Sequence, residues 1–238
     1  MKTWLLIHGG SHGAWCWEAV IRELERLGGY AHAIDLPGAG ADHTPRTDVT
    51  FEATVAAVNA AIEAADWRNL VLVGHSLAGI LMPTIAAAQQ RRIGGLVFIA
   101  AFVLDQGERA FDLIACERQP EYQRLAEVSP EQSLSVPYVV ARERFFSDLD
   151  EVAAQQAFAQ LTPQPFKPYL HPAPISARAF GSQSRYVLCT HDRNLSYEQC
   201  LGFASKLGCP VEEIAAGHDV MLSRPAELAR LLVAGNPL

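Results

Sequence analysis

Short apolar runs alternate with segments of helical period along most of the 238-residue chain. Thr3 to Ile7 is an almost unbroken apolar run and reads as a buried strand. Trp17, Val20, Ile21, Leu24 and Leu27 then fall on one face of a helix, which Gly28-Gly29 ends. Tyr30 to Leu36 reads as a strand stopped by Pro37-Gly38-Ala39-Gly40. In the Ala-rich segment from Phe51 to Ala65, Val55, Val58 and Ile62 recur at helical spacing. Leu70 to Val73, Leu96 to Val103, Tyr186 to Cys189 and Val211 to Ile214 read as further strands. The run after Ser76 and the segment Ser223 to Val233 read as helices, the latter with Pro225 near its first turn. Strand alternating with helix predicts an α/β fold: a mostly parallel sheet flanked by helices on both faces.

The stretch 105–183 breaks that rhythm. It is rich in charge, aromatics and proline, with Arg142-Glu143-Arg144-Phe145-Phe146 followed by Pro163, Pro165, Pro168, Pro172 and Pro174. It is too long for a structureless loop in a compact domain. It therefore reads as an inserted, mainly helical cap on a core formed by 1–104 and 184–238, with an ordinary surface excursion as the plainer alternative.

Composition narrows the class. Half the residues are apolar and 19% are charged, an ordinary globular balance. The net charge of −7 comes without a dense Lys/Arg block, which argues against nucleic acid or an anionic membrane as partner. Cys16, Cys116, Cys189, Cys200 and Cys209 are scattered and form no CxxC pair, so reduced thiols are expected. The apolar run from Trp4 to Ile7 is too short for a signal-peptide core, and a cytoplasmic protein is expected. Nothing in the sequence sets the oligomeric state; a homodimer is one assembly it allows.

Catalysis by a serine hydroxyl needs a base, an orienter for that base, and donors for the oxyanion. Val73-Gly74-His75-Ser76-Leu77-Ala78-Gly79 follows a buried strand and precedes a helix, the context of a nucleophile elbow. Ala78 stands where a second glycine is expected, followed by Gly79. His218 comes directly after the last strand, and Asp192 ends the strand before it. The order Ser76, Asp192, His218 is that of α/β-hydrolases, with each residue at the carboxyl end of a strand. The oxyanion donors expected are the N–H groups of Leu77, after the nucleophile, and Gly10, in the loop His8-Gly9-Gly10-Ser11. Two glycines also mark simple turns, which is the plainer reading.

Among the other histidines, His75 is expected to point away from the reaction, His191 to be exposed, and His43 and His171 to be solvated, with substrate contact a lesser option for His171. A phosphate site fails for want of GxGxxG or a P-loop lysine, and no His/Asp/Glu cluster shows metal-ligand spacing. Neither cofactor nor metal is expected.

Leu6-Ile7-His8-Gly9-Gly10-Ser11-His12-Gly13-Ala14-Trp15-Cys16-Trp17 closely resembles the opening motif of the plant methylesterase and hydroxynitrile lyase family and its bacterial esterase relatives. Asp35-Leu36-Pro37-Gly38, Gly74 to Gly79, Cys189 to Asp192 and His218 to Pro225 follow in the family's order. The resemblance covers nearly the whole core. It implies a triad of Ser76, His218 and Asp192, oxyanion donors at Gly10 and Leu77, and bracing roles for His12 and Trp15. The lyases carry threonine where this chain has Gly9 and lysine where it has Asp219. A carboxylate there would disfavour an anionic leaving group, so the resemblance implies the esterase branch.

The expectation is thus a carboxylic ester hydrolase working on a small-molecule ester through an acyl-enzyme. Gly9, Phe111, Phe145, Phe146, Phe158 and Phe166 are candidates to line its pocket, though most of these phenylalanines are expected to be packing residues. A lyase acting on a cyanohydrin and a non-catalytic small-molecule sensor are the alternatives.

Overall fold

The computed structural model describes residues 2–235. In chain order the strands are β1 (Thr3–Ile7), β2 (Tyr30–Ile34), β3 (Leu70–His75), β4 (Ile93–Ile99), β5 (Ser133–Leu134), β6 (Gln164–Pro165), β7 (Ser184–Cys189) and β8 (Val211–Ile214). Six of them form one parallel sheet in the order β2-β1-β3-β4-β7-β8, and β5 with β6 forms a separate antiparallel pair. From β1 the chain steps to β2 on one side, then returns to place β3 on the other. Strand order reverses there, so the loops leaving β1 and β3 diverge and open a crevice at their carboxyl ends. Ile7 lies opposite Gly74, which sets the loop after β1 beside the end of β3.

Among the described residues ten α-helices accompany the strands: α1 (Glu18–Arg26), α2 (Phe51–Ala64), α3 (Met82–Ala88), α4 (Gln119–Val128), α5 (Tyr138–Arg144), α6 (Glu151–Phe158), α7 (Lys167–Leu170), α8 (Tyr197–Leu207), α9 (Val220–Ser223) and α10 (Pro225–Ala234). None is long and apolar enough to cross a membrane. Strand side chains alternate between two cores. Leu5, Ile7, Leu70, Leu72, Leu96 and Phe98 pack with α2, α3 and α8. Trp4, Leu6, Val71, Val73, Val97 and Ile99 pack with α1, α9 and α10. Covering both faces is what demands near-continuous apolar strands. Val20 and Leu24 of α1 are wholly buried in the second core, each contributing about 1.5–3 kcal/mol.

Element boundaries shift for identifiable reasons. β2 stops at Ile34, because the Leu36 N–H leaves the ladder and donates to His8 Nε2 at 3.0 Å. β4 begins and ends earlier than the apolar run suggests. Gly94 and Gly95 hide its start, and Ala100, at φ 42°, turns the chain out of the sheet. After Ser76 the chain makes a 3-10 turn over Ser76–Ile80 before α3 begins. The stretch 105–183 holds α4 to α7, the β5–β6 pair and two small apolar clusters.

Candidate active site

Ser76 sits directly after β3 with φ 51°, a left-handed conformation that costs a non-glycine residue energy and thrusts its side chain out of the turn. The turn is locked by the Phe102 N–H, which donates to the Ser76 carbonyl at 3.0 Å. A Cβ on Gly79 would lie 2.2 Å from the Phe102 carbonyl oxygen, so backbone approach forbids a side chain there. Ala78 is buried without such a clash. The departure from a Gly-x-Ser-x-Gly string is therefore tolerated at 78, and the tight glycine is at 79.

Two hydrogen bonds continue the β7–β8 pairing past the strand ends. The Thr190 N–H donates to the Ile214 carbonyl at 2.9 Å, and the His191 N–H to that of Ala216 at 3.0 Å. They bring Asp192 to His218. His218 Nδ1–H donates to Asp192 Oδ2 at 2.7 Å, leaving Nε2 to accept from Ser76 Oγ at 3.1 Å. The other Asp192 oxygen accepts from the Asn194 and Leu195 N–H groups at 2.7 and 2.9 Å. The His218 and Asp192 side chains are each 1% exposed. Burial pushes the His218 imidazolium towards losing its proton, but the charge and hydrogen bond of Asp192, with a further share from Asp219, outweigh it and leave the pKa raised.

The loop after β1 is pinned by imidazoles. His8 Nε2 accepts from Leu36, so its proton is on Nδ1, which donates to the Gly9 carbonyl at 2.8 Å. That carbonyl belongs to the peptide whose N–H is Gly10's, and planarity aims the N–H the opposite way. The Gly10 N–H donates to no other described group. A Cβ on Gly9 would lie 2.9 Å from both Ser76 Cβ and His75 Nδ1, so only glycine lets the loop come this close to Ser76. Burial takes the His8 pKa down to about 4, which keeps the ring neutral in this role. Gly9, Gly10 and Leu77 line a recess with Leu36, Val49 and Ile80. Among its lining side chains only His8, Thr54 and Gln164 carry polar atoms.

The five phenylalanines are not part of that lining. Phe111 and Phe166 meet edge to face at 5.8 Å in one cluster of the 105–183 stretch, and Phe145, Phe146 and Phe158 belong to the other. Phe145 touches the site differently, stacking on the His218 ring at 5.7 Å. His191 and His43 are exposed, and His171 pairs with Glu52 at 3.1 Å. His75 is buried beneath His218, donating from Nε2 to the His218 carbonyl at 3.0 Å. Asp219 does not face the leaving-group side as its position next to His218 suggested. It is fully buried and accepts from His12 Nε2 at 2.7 Å.

Several contributors escaped the sequence reading. Asp148 Oδ2 accepts from the Gly217 N–H at 2.7 Å, Gln164 Oε1 accepts from the Ser11 N–H at 2.9 Å, and Asn194 Nδ2 lies 3.3 Å from His218 Nε2. Asp148 and Gln164 come from the stretch with the weakest pattern. Only Asn194, two residues after Asp192, carried a local signal, that of an Asx turn. His75, His218 and Asp219 also place ligand-type atoms within 4.8 Å of one another. Both ring nitrogens of His218 are engaged by Asp192 and Ser76, so a cation would have to take His218 out of the triad to bind all three.

The chain resembles known proteins over nearly all of its length. "Putative methylesterase 15, chloroplastic" of Arabidopsis thaliana is 26% identical over 250 residues, covering 98% of this chain but 56% of that protein. This chain thus spans little more than half of that relative's length. Esterase PIR7B of Oryza sativa subsp. japonica is 30% identical over 268 residues, covering 98% of this chain and 94% of the rice protein. A solved extracellular alpha/beta-hydrolase from a Paenibacillus species, described as sharing structural and functional homology with Tobacco Salicylic Acid Binding Protein 2, superposes with a TM-score of 0.89. It is 25% identical, with 98% of each chain covered. The model of the Alpha/beta hydrolase family matches residues 4–231. With its parallel sheet and with Ser76, Asp192 and His218 at the strand ends, the chain belongs to the alpha/beta hydrolase family.

Proposed function

We propose that this protein hydrolyses carboxylic esters through an acyl-enzyme on Ser76. The observation that carries the reading is the continuous hydrogen-bonded series Ser76–His218–Asp192 beside a Gly10 N–H that no described group uses. His218 Nε2 takes the Ser76 proton as Oγ attacks the ester carbonyl. The carbonyl oxygen gains the charge and is met by the Gly10 and Leu77 N–H groups. His218 then protonates the departing alkoxide, which leaves as the alcohol. Water, deprotonated by the same ring, attacks the acyl-enzyme and releases the acid and free Ser76. Asp192 holds the imidazole tautomer and balances the imidazolium charge.

The esterase names of the relatives support this reading. The recess beside Gly10 carries no formal charge with His8 neutral, which favours an uncharged, apolar part of the ester there. The stretch 105–183 serves as the cap, since Gln164 and Asp148 reach from it to the two loops that frame the chemistry. No observation favours the lyase: the group next to His218 is a carboxylate committed to His12, not a cation. The test is hydrolysis of a panel of p-nitrophenyl esters, with mandelonitrile as a control. Wild type should release p-nitrophenol and no cyanide, and Ser76→Ala should lose about 10³-fold or more. Cyanide release without ester turnover would replace this reading with the lyase.

A further inference from the structure

Granted ester hydrolysis at Ser76, we propose that the buried His12–Asp219 pair is a positioning device that fixes the oxyanion loop and ties it to the loop bearing His218. Two adjacent glycines bring the loop close to the substrate but give it no rigidity of its own. The rigidity comes from outside. The Gly9–Gly10 peptide is held at its carbonyl by His8 Nδ1–H at 2.8 Å. The Gly10–Ser11 peptide is held at both ends. Its carbonyl accepts from His12 Nδ1–H at 2.8 Å, and its N–H donates to Gln164 Oε1 at 2.9 Å. With both flanking peptide planes pinned, Gly10 φ and ψ are set, and with them the direction of its N–H.

His12 is itself held through its other nitrogen, which donates to Asp219 Oδ2 at 2.7 Å. Both ring nitrogens face acceptors, so the ring satisfies them by presenting an N–H on each side. The two side chains are 2% and 0% exposed, and the second Asp219 oxygen has no described hydrogen-bond partner. This one ion pair therefore orients the carboxylate. Trp15 stacks on the ring at 5.6 Å, and Phe145 lies 5.5 Å away while also stacking on His218. Asp219 immediately follows His218, whose carbonyl is held by His75. Oxyanion donor and general base are thus set by one connected frame. A buried pair costs desolvation and is a weak source of stability, so its return here is geometry. Moving the His12 ring would rotate the Gly10 peptide at the place where charge develops, which slows the chemical step more than it weakens ground-state binding.

The experiment uses the full chain, with Asp219→Asn, His12→Gln and the double variant, each checked for folding by circular dichroism. A p-nitrophenyl ester gives kcat and KM, and a trifluoromethyl ketone reports affinity for a tetrahedral adduct. Each single variant should lose about 10–100-fold in kcat with KM within about 3-fold. Ketone affinity should fall by a similar factor, and the double variant should be no worse than the poorer single, because both remove one link. A folded single variant with wild-type kcat, a kcat loss with unchanged ketone affinity, or multiplicative losses would each overturn the proposal. Nitrogen-15 spectra of the wild type at pH 7 decide the matter should the variants not fold: two ring N–H groups on His12 support it, and one overturns it. Wild type inactive on every ester refutes the hydrolase reading instead, and leaves the pair to the spectra.

Discussion

His8 should make the protein acid-labile in a defined window. The ring is 1% exposed, accepts from the Leu36 N–H, donates to the Gly9 carbonyl, and has its pKa lowered from 6.5 to about 4. Above pH 6.5 neither folded nor unfolded chain protonates this residue, and its contribution is constant. Below 6.5 the unfolded chain takes up a proton that the folded chain refuses, so stability falls with pH until the folded ring titrates near 4. The full difference is about 3 kcal/mol, and less than half of it is reached by pH 5.5. Urea unfolding of wild type and His8→Gln at pH 7.5, 5.5 and 4.5 isolates this part. Other buried groups titrate in both proteins and cancel in the comparison. Wild type should be the more stable at pH 7.5, and its advantage should shrink by about 2.5 kcal/mol at pH 4.5. Parallel losses in the two proteins would refute the neutral, doubly bonded His8.

Further outcomes follow from the site. Asp192→Asn should lower kcat by about 10⁴-fold on the pattern of other serine triads, with a circular dichroism spectrum like that of wild type; a loss under tenfold would contradict the orienting role. The raised pKa of His218 places the acid limb of wild-type kcat/KM above pH 6.5, since protonation removes the base, and a limb centred below 6 would contradict it. Gly79→Ala should cost about 2–4 kcal/mol in thermal or urea unfolding, because its Cβ meets backbone at Phe102 with no room to move; an unchanged melting point would refute that contact.

The core was legible because its signals are local. Apolar runs mark β1 and β3, and parallel strands buried on both faces leave little freedom in the pattern. Ser76, Asp192 and His218 could be picked out because each follows a recognisable strand. What was hidden depends on contacts distant in sequence. Asp219 looked like a charge facing substrate, yet its partner His12 lies 207 residues away and turns it inward. Asp148 and Gln164 reach the site from a stretch whose period is broken by proline, so no spacing pointed to them. The phenylalanines of that stretch are pocket candidates by sequence, but small helices need aromatic area to pack at all. Phe111, Phe146 and Phe166 are buried in doing so.

The most direct measurement is to trap the acyl-enzyme. Wild type mixed briefly with a p-nitrophenyl ester, quenched in acid and digested, should yield the peptide containing Ser76 heavier by one acyl group, in step with a burst of p-nitrophenol. Ser76→Ala should show neither. Sustained ester turnover without acylation of Ser76, or with Ser76→Ala as active as wild type, would contradict the account.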